Sequence, residues 1–287
     1  MAACDHPYCG EPVAFATMHG KQQAVAKAFA LRMSAPVVVP AGIDTDAYGT
    51  FTGETPRSGT MIDAARAKAW LATDATGLRC GLGSEGSFGP HRSLPLVPGN
   101  TELLLFIDSE RGIEVHESIV THRTNFSSLV CEPDEDIGSF LRSIGFPKHG
   151  VVVTPHEPRA AANPVKGITC STRLGISIRQ AALSSADGRA RITTDMRAHF
   201  NPSRMAVIRA LAHRLAERLS KRCPACGTPG FGVADIVRGL PCACCGESVP
   251  IPVARICRCT TCEFELRTKM NGVPQAADPG RCPQCNP

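Results

Sequence analysis

Cysteine is the residue type whose spacing indicates the most definite chemistry in this chain. Of the 15 cysteines, 10 lie after residue 222. Eight of these form four C-x-x-C pairs in series: Cys223/Cys226, Cys242/Cys245, Cys259/Cys262 and Cys282/Cys285. Two thiolates separated by two residues fit on one tight turn, and two such turns supply the four sulfurs of a tetrahedral zinc site. The sequence therefore predicts two structural Zn²⁺ ions.

The spacing favours one grouping of the pairs without excluding the other. Fifteen residues separate the first two pairs and 19 separate the last two, and both gaps fit a four-cysteine zinc site. A sequential grouping is therefore favoured, and an interleaved one stays open. No histidine follows residue 222, which disfavours a catalytic zinc ion with an open coordination position. The cysteines outside the pairs are interpreted as spare thiols near zinc (Cys244, Cys257) and as part of a terminal tail (Cys4, Cys9).

A second set of chemically capable residues lies in polar loops of the first 220 residues. Each loop follows a predicted strand or precedes a predicted helix, and in an open α/β sheet such positions gather at the carboxyl ends of strands. The cations predicted to bind phosphate are Lys21, Arg197 and Arg204. The carboxylates predicted to bind Mg²⁺ or Mn²⁺, or to activate water, are Glu54, Glu85 and Asp195. For each residue the alternative is a solvated turn, and for Arg204 it is an ion pair with a neighbouring carboxylate.

The elements that must position these residues indicate an α/β fold. An apolar run at 13–17, a helix after Gly20 and a β-branched run at 35–40 form a strand–helix–strand unit, which is typical of a partly parallel sheet. Thr60 and Asp63 predict a capping box for the next helix, and Gly77 its end. Apolar runs at 102–108 and 113–120 predict a hairpin. Further helices are predicted at 133–145, 171–185 and from Asn201 to about 220, and residues 156–167 are predicted to form a loop.

The stretch GLGSEGSFGPH (81–91) matches G-x-G-x-x-G after a predicted strand. A dinucleotide-binding loop requires a helix next, and Pro90, Pro95 and Pro98 preclude one, so this interpretation is rejected. We predict that Ser84–His91 is a sharp turn that follows a short strand. The turn would present Glu85 to the same cleft as Lys21.

Composition limits the remaining function classes. The net charge is +5, and residues 221–287 carry 8 Lys/Arg against 5 Asp/Glu without clustering, so nucleic acid is possible as a partner but not favoured. The amino-terminal residues do not resemble a signal peptide, and no apolar run reaches membrane-spanning length, so a cytoplasmic protein without a membrane contact is expected. We predict an α/β domain at 1–220, with a mixed, partly parallel sheet flanked by helices, followed by a double zinc ribbon at 221–287.

Several sequence words resemble a bacterial family of unknown function, domain family 6671. They include ATMHGK, GTFTGE, SEGSFGPH, TDMRAHFNP and CPQCNP, which span almost the whole chain. The resemblance implies no activity.

The first domain is also similar in motif order to the inosine/xanthosine triphosphate pyrophosphatases. The matching features are a Gly-Lys opening the first helix (Gly20, Lys21), a glutamate before an Ala-rich helix (Glu54), an acidic turn (Glu85) and a basic segment at 197–204. This resemblance implies Mg²⁺-assisted attack of water on a nucleoside triphosphate. The function predicted is a metal-dependent phosphohydrolase of nucleotides or related phosphorylated small molecules. The alternative is a non-catalytic zinc-ribbon module that binds nucleic acid or a protein partner.

Overall fold

The fold was determined as a computed structural model that describes residues 5–43, 45, 59–91, 94–161 and 163–287. The chain divides into two compact units, Tyr8–Leu215 and Met1–Pro7 with Ala216–Pro287. The predicted domain limits of 1–220 and 221–287 stay a prediction.

The larger unit begins with a five-stranded mixed sheet, as predicted. Its strands are β1 (Val13–Phe15), β2 (Val37–Val38), β3 (Cys80–His91), β4 (Leu94–Asp108) and β5 (Ile113–Thr121). Their order is β2-β1-β3-β4-β5, in which β2, β1 and β3 are parallel while β4 and β5 are antiparallel. Chain order therefore reverses at β1, and in open α/β sheets ligands bind at such a reversal, beyond the carboxyl ends of the strands.

Two helices connect the parallel strands. Helix α1 (Gln22–Met33) follows β1, and helix α2 (Met61–Thr76) precedes β3. The start of α2 is fixed by the predicted capping box, in which Thr60 and Asp63 each bond the other's backbone N–H. The helix ends at Gly77, whose φ of 71° lies in the left-handed region. Both sequence signals for this helix are confirmed.

The predicted turn at Ser84–His91 is wrong. These residues continue β3, which pairs with β4 from Cys80, opposite Asp108, to Pro90, opposite Pro98. Gly83, just before this stretch, serves packing instead of bending, because a Cβ atom on it would overlap the carbonyl oxygen of Ala65 in α2. Glycine at this position therefore lets α2 lie directly on the strand.

A second sheet in the same unit is entirely antiparallel. Its strands are β6 (Ser128–Cys131), β7 (Val151–Pro155), β8 (Val165–Ile168) and β9 (Ala190–Thr194), in the order β6-β9-β7-β8. Helices α3 (Gly138–Ile144) and α4 (Ser171–Leu183) belong to the same region, and residues from both helices join its apolar core. The end of the predicted loop at 156–167 is therefore corrected to strand, because Val165 pairs with Val153.

Helix α5 (Pro202–Leu219) begins as predicted. The side-chain oxygen of Asn201 accepts the backbone N–H of Arg204 at 3.0 Å. The apolar stripe of the helix is buried at Ile208, Leu211, Leu215 and Leu219.

The smaller unit contains a three-stranded antiparallel sheet of β10 (Gly232–Pro241), β11 (Ser248–Arg258) and β12 (Glu265–Lys269) in chain order. Its apolar core is small and includes Leu240, Val249 and Ala277 beside cysteine side chains. A core of this size is typical of domains that metal ions stabilise. Across both units, the described part of the chain contains no helix that is long and apolar enough to cross a bilayer.

Candidate functional site

The eight paired cysteines converge in two groups of four. Cys223, Cys226, Cys259 and Cys262 form the first tetrad, and Cys242, Cys245, Cys282 and Cys285 form the second. Two Sγ–Sγ separations in the first tetrad are 3.7 and 3.6 Å, and two in the second are 3.8 and 3.6 Å. Four sulfurs at about 2.3 Å from a central zinc ion would be separated by about 3.8 Å. Both tetrads are therefore positioned to hold a metal ion.

The grouping of the pairs is interleaved, so the favoured sequential grouping is wrong. The reason lies in the antiparallel pairing of β10 and β11, which places Gly232 opposite Arg258 and Pro241 opposite Ser248. The pair before β10 therefore meets the pair after β11, while the pair after β10 lies at the other end of the sheet. A ten-residue strand spans on the order of 30 Å, too far for the first two pairs to share an ion.

A shared backbone hydrogen bond shapes three of the four cysteine turns. The backbone N–H of the first cysteine donates to the carbonyl five residues later in three of the four pairs, at Cys223, Cys242 and Cys259. Gly227 and Gly246 follow their pairs with φ of 74° and 76°, a conformation that glycine adopts without strain. Of the spare thiols, Cys244 is exposed and Cys257 half-buried, both outside the tetrads, and Cys9 is half-buried. Cys4 lies outside the described residues.

The carboxyl edge of β1 and β3 holds a cluster of buried charges. The ammonium of Lys21, at the start of α1, donates to the hydroxyl of Ser84 at 2.8 Å. Burial lowers the pKa of Lys21 to about 7, and the positive charge of Arg204 acts in the same direction. Glu102, Lys68 and Glu85 also act on this ammonium, so the five charged side chains form one electrostatic cluster.

Two ion pairs flank Lys21. Lys68 of α2 pairs with Glu85 of β3, and Arg204 of α5 pairs with Glu102 of β4 at 2.7 Å. Glu85 and the residue opposite Glu102, Gly86, are adjacent along β3, so the two pairs lie on opposite faces of the sheet. Arg204 is also close to Phe88, with its guanidinium carbon 5.2 Å from the ring centroid.

The third predicted carboxylate is engaged at both oxygens. Asp195 accepts the guanidinium of Arg197 at 2.7 Å and the backbone N–H groups of Arg197 and Gly167, each at 3.0 Å. Nearby, the rings of His19 and His199 stack with centroids 5.0 Å apart. Burial and the neighbouring His199 lower the pKa of His19 to about 4.

The structure thus brings Lys21, Glu85 and Arg204 into one cluster and pairs Asp195 with Arg197. Glu54 lies outside the described residues. Sequence reasoning missed Lys68, Ser84 and Glu102. For Lys68 and Glu102 the signal was the charge itself: Lys68 interrupts the small-residue face of α2, and Glu102 precedes the apolar run of β4 on the face of Leu104 and Phe106.

A third group of possible metal ligands comprises His156, Glu157 and Asp187. The Asp187 oxygen that contacts His156 at 2.6 Å also accepts the guanidinium of Arg189 at 2.8 Å. A metal cation at that oxygen would compete with Arg189. We therefore explain the group as a structural contact, in which Asp187 holds His156 and Arg189 together.

Comparison with known proteins identifies the family. A family model described as a domain of unknown function, DUF6671, matches residues 68–287. The chain belongs to the DUF6671 family. The matched range includes Glu85, Glu102 and Arg204 and both cysteine tetrads, so these features lie within the family domain. Searches of curated proteins and of solved structures return no match, and the resemblance to the inosine/xanthosine triphosphate pyrophosphatases is not confirmed.

Proposed function

We propose that the α/β unit binds a phosphorylated small molecule, such as a nucleotide, at the carboxyl edge of β1 and β3. The observation that carries the proposal is the buried ammonium of Lys21, whose hydrogen-bond partner at 2.8 Å is the neutral hydroxyl of Ser84. In the cluster around it, the three cations Lys21, Lys68 and Arg204 outnumber the two carboxylates Glu85 and Glu102. A buried excess of positive charge is costly unless an anion neutralises it.

The position of Lys21 supports the same ligand class. It lies at the amino end of α1, where backbone N–H groups and the helix dipole favour an anion. It also lies at the point where strand order reverses, which is where open α/β sheets bind ligands. Lys21 is therefore assigned the direct phosphate contact.

The other predicted phosphate-binding residues take different roles in this proposal. Arg204 is 2% exposed and paired with Glu102, so it holds the cluster together and contributes charge without reaching the ligand. Arg197 is more accessible, with a quarter of its side chain exposed, and it is available at the rim beside His199.

Hydrolysis of the bound ligand is a second candidate function. It is favoured by Glu85, a buried carboxylate whose charge acts on Lys21. The predicted Mg²⁺ or Mn²⁺ ion does not fit Glu85 and Asp195 as they stand, because Glu85 is bonded to Lys68 and both oxygens of Asp195 accept hydrogen bonds. We therefore derive no step through a divalent ion.

For the smaller unit we propose two structural Zn²⁺ ions. The sulfur spacing agrees with tetrahedral zinc thiolate geometry. Four cysteines fill all coordination positions, so each ion would stabilise the fold instead of performing chemistry.

The experiment that tests the α/β proposal is calorimetric binding of a panel of nucleotides and sugar phosphates. Lys21→Met is expected to weaken binding of the best ligand at least about tenfold, since it removes a charge-assisted contact. Lys27→Met changes an exposed lysine of the same helix and is expected to bind normally. Failure of every panel member to bind the unaltered chain would overturn the proposal. Phosphate release that Glu85→Gln abolishes, measured both with and without Mg²⁺ or Mn²⁺, would support hydrolysis, whereas binding without release under either condition would contradict it.

A further inference from the structure

Strand β12 is an open edge of the three-stranded sheet. It pairs with β11 on one side only, and all five of its residues are exposed. No backbone hydrogen bond joins its outer edge to any other described residue. An exposed edge of this kind can accept an additional strand.

The hydrogen-bond pattern between β11 and β12 shows which backbone N–H and C=O groups of β12 point away from the sheet. The backbone N–H of Met270 donates to the carbonyl of Val253 at 3.0 Å, at the end of the ladder. Antiparallel pairs alternate between hydrogen-bonded and non-hydrogen-bonded. Thr268, opposite Arg255, is therefore bonded to β11. It follows that the backbone groups of Arg267 and Lys269 point away from the sheet.

An apolar groove borders these two side chains at the end of the β11–β12 ladder. Ala254 is opposite Lys269, and Ile256 is opposite Arg267, so all four side chains share one face of the sheet. The groove has a volume of about 480 Å³. Its lining includes Leu240, Val253, Met270 and Val273, together with Arg267 and Lys269.

The charges of the two basic residues are not neutralised within the sheet. The carboxylate of Glu265, the acidic residue of β12, pairs with Arg258. Neither Arg267 nor Lys269 forms an ion pair within the described residues. A strand added to this edge would place two of its side chains, spaced two residues apart, beside these cations.

We propose that β12 binds an extended acidic segment of a partner protein by strand addition. The partner's backbone would exchange hydrogen bonds with Arg267 and Lys269, and two acidic side chains at i and i+2 would face their charges. The alternate, apolar side chains of the segment would face the part of the groove lined by Val253 and Met270, which lie on the other face of the sheet. A nucleic-acid strand fits less well, because the aromatic residues of this unit, Phe231 and Phe264, pack on each other with centroids 5.8 Å apart and offer no free stacking platform.

The test is fluorescence anisotropy with the zinc-loaded full chain and an eight-residue peptide of alternating glutamate and valine. Saturable binding is expected, and Arg267→Glu combined with Lys269→Glu is expected to weaken it at least about tenfold. Arg255→Glu is the matched control, because this exposed arginine lies on the opposite face of the same sheet. The control should bind within about twofold of the unaltered chain.

Two further peptides separate strand addition from simple charge attraction. Each is the acidic peptide N-methylated at every second amide, one at the odd and the other at the even positions. One of these peptides should lose binding and the other should keep it, because only alternate N–H groups of an added strand face the edge. Equal binding of the two methylated peptides, equal binding of a lysine–valine peptide, or no binding of the acidic peptide would each overturn the proposal. The proposal would also be overturned if the chain self-associates, or binds an oligonucleotide, and the double charge reversal abolishes that interaction.

Discussion

At the scale of single residues, the unusual group is Lys21. Its side chain is 9% exposed, and burial lowers its pKa to about 7. The unfolded chain keeps the proton until about pH 10.5, so between those values the unfolded state binds more protons. The free energy of unfolding therefore rises with pH between about 7 and 10.5. Below pH 7 both states carry the proton, and this contribution stays at its lowest value. A buried ammonium is costly at neutral pH, and strongly shifted pKa values cluster at functional sites, which supports a ligand-binding role for Lys21.

Sulfate binding should show this titration directly. Sulfate stays dianionic from pH 6 to 9, so a pH effect on its affinity reports on the protein. We expect constant affinity below pH 7 and a loss approaching tenfold per pH unit above it, because the ammonium of Lys21 loses its charge. His19, with a pKa lowered to about 4, stays neutral throughout this range. Lys21→Met should bind weakly with a flat profile, measured by calorimetry. An unchanged profile in that variant would assign the titration to another group.

At the scale of elements, the contact of α2 with β3 depends on glycine. A Cβ atom at residue 83 would meet the backbone of Ala65, which cannot move without displacing the helix. Gly83→Ala is therefore expected to lower the free energy of unfolding by about 1–3 kcal/mol. Gly89→Ala is the matched control on the same strand, since nothing lies within 4 Å of its Cβ position. Denaturant unfolding measures both, and equal losses in the two variants would contradict the packing explanation.

Elements with local signals could be predicted from the sequence. The capping box at Thr60 and Asp63, the left-handed end at Gly77 and the Asn201 cap all involve residues within a few positions of each other. The start of β3 was predicted, but its continuation from Ser84 was missed because the evidence is remote: Gly86 is extended because it pairs with Glu102. Glycine content alone indicates a turn, and only the tertiary partner decides between a turn and a strand.

The same limit applies to the charged cluster. Residue type indicated Lys21 and Glu85 as candidate site residues, but the ion pairs join residues far apart in the chain: Lys68 with Glu85, and Glu102 with Arg204. A lysine on the apolar face of α2 was a visible signal that it needed a buried partner. Which carboxylate it meets depends on how the helix lies on the sheet, and no spacing rule contains that information.

At the scale of the whole molecule, the metal sites illustrate how topology overrides spacing. Gaps of 15 and 19 residues both fit a four-cysteine zinc site, so spacing alone allows a sequential grouping. The antiparallel sheet excludes it, since β10 carries the second cysteine pair away from the first. Each tetrad then joins segments about 40 residues apart in sequence, so each proposed zinc ion would close a long loop. Removal of both ions is expected to unfold this unit, whose apolar core is small.

Zinc stoichiometry distinguishes the two groupings. Replacing Cys223, Cys226, Cys259 and Cys262 with serine removes the whole first tetrad and leaves the second complete, so one Zn²⁺ per chain is expected. Replacing Cys223, Cys226, Cys242 and Cys245 takes two ligands from each tetrad, so none is expected. Both variants lose four thiols, which makes each the control for the other. Native mass spectrometry in the presence of a competing chelator measures the ratio. The reverse result, none in the first variant and one in the second, would establish sequential sites and refute the strand pairing on which the interleaved grouping depends.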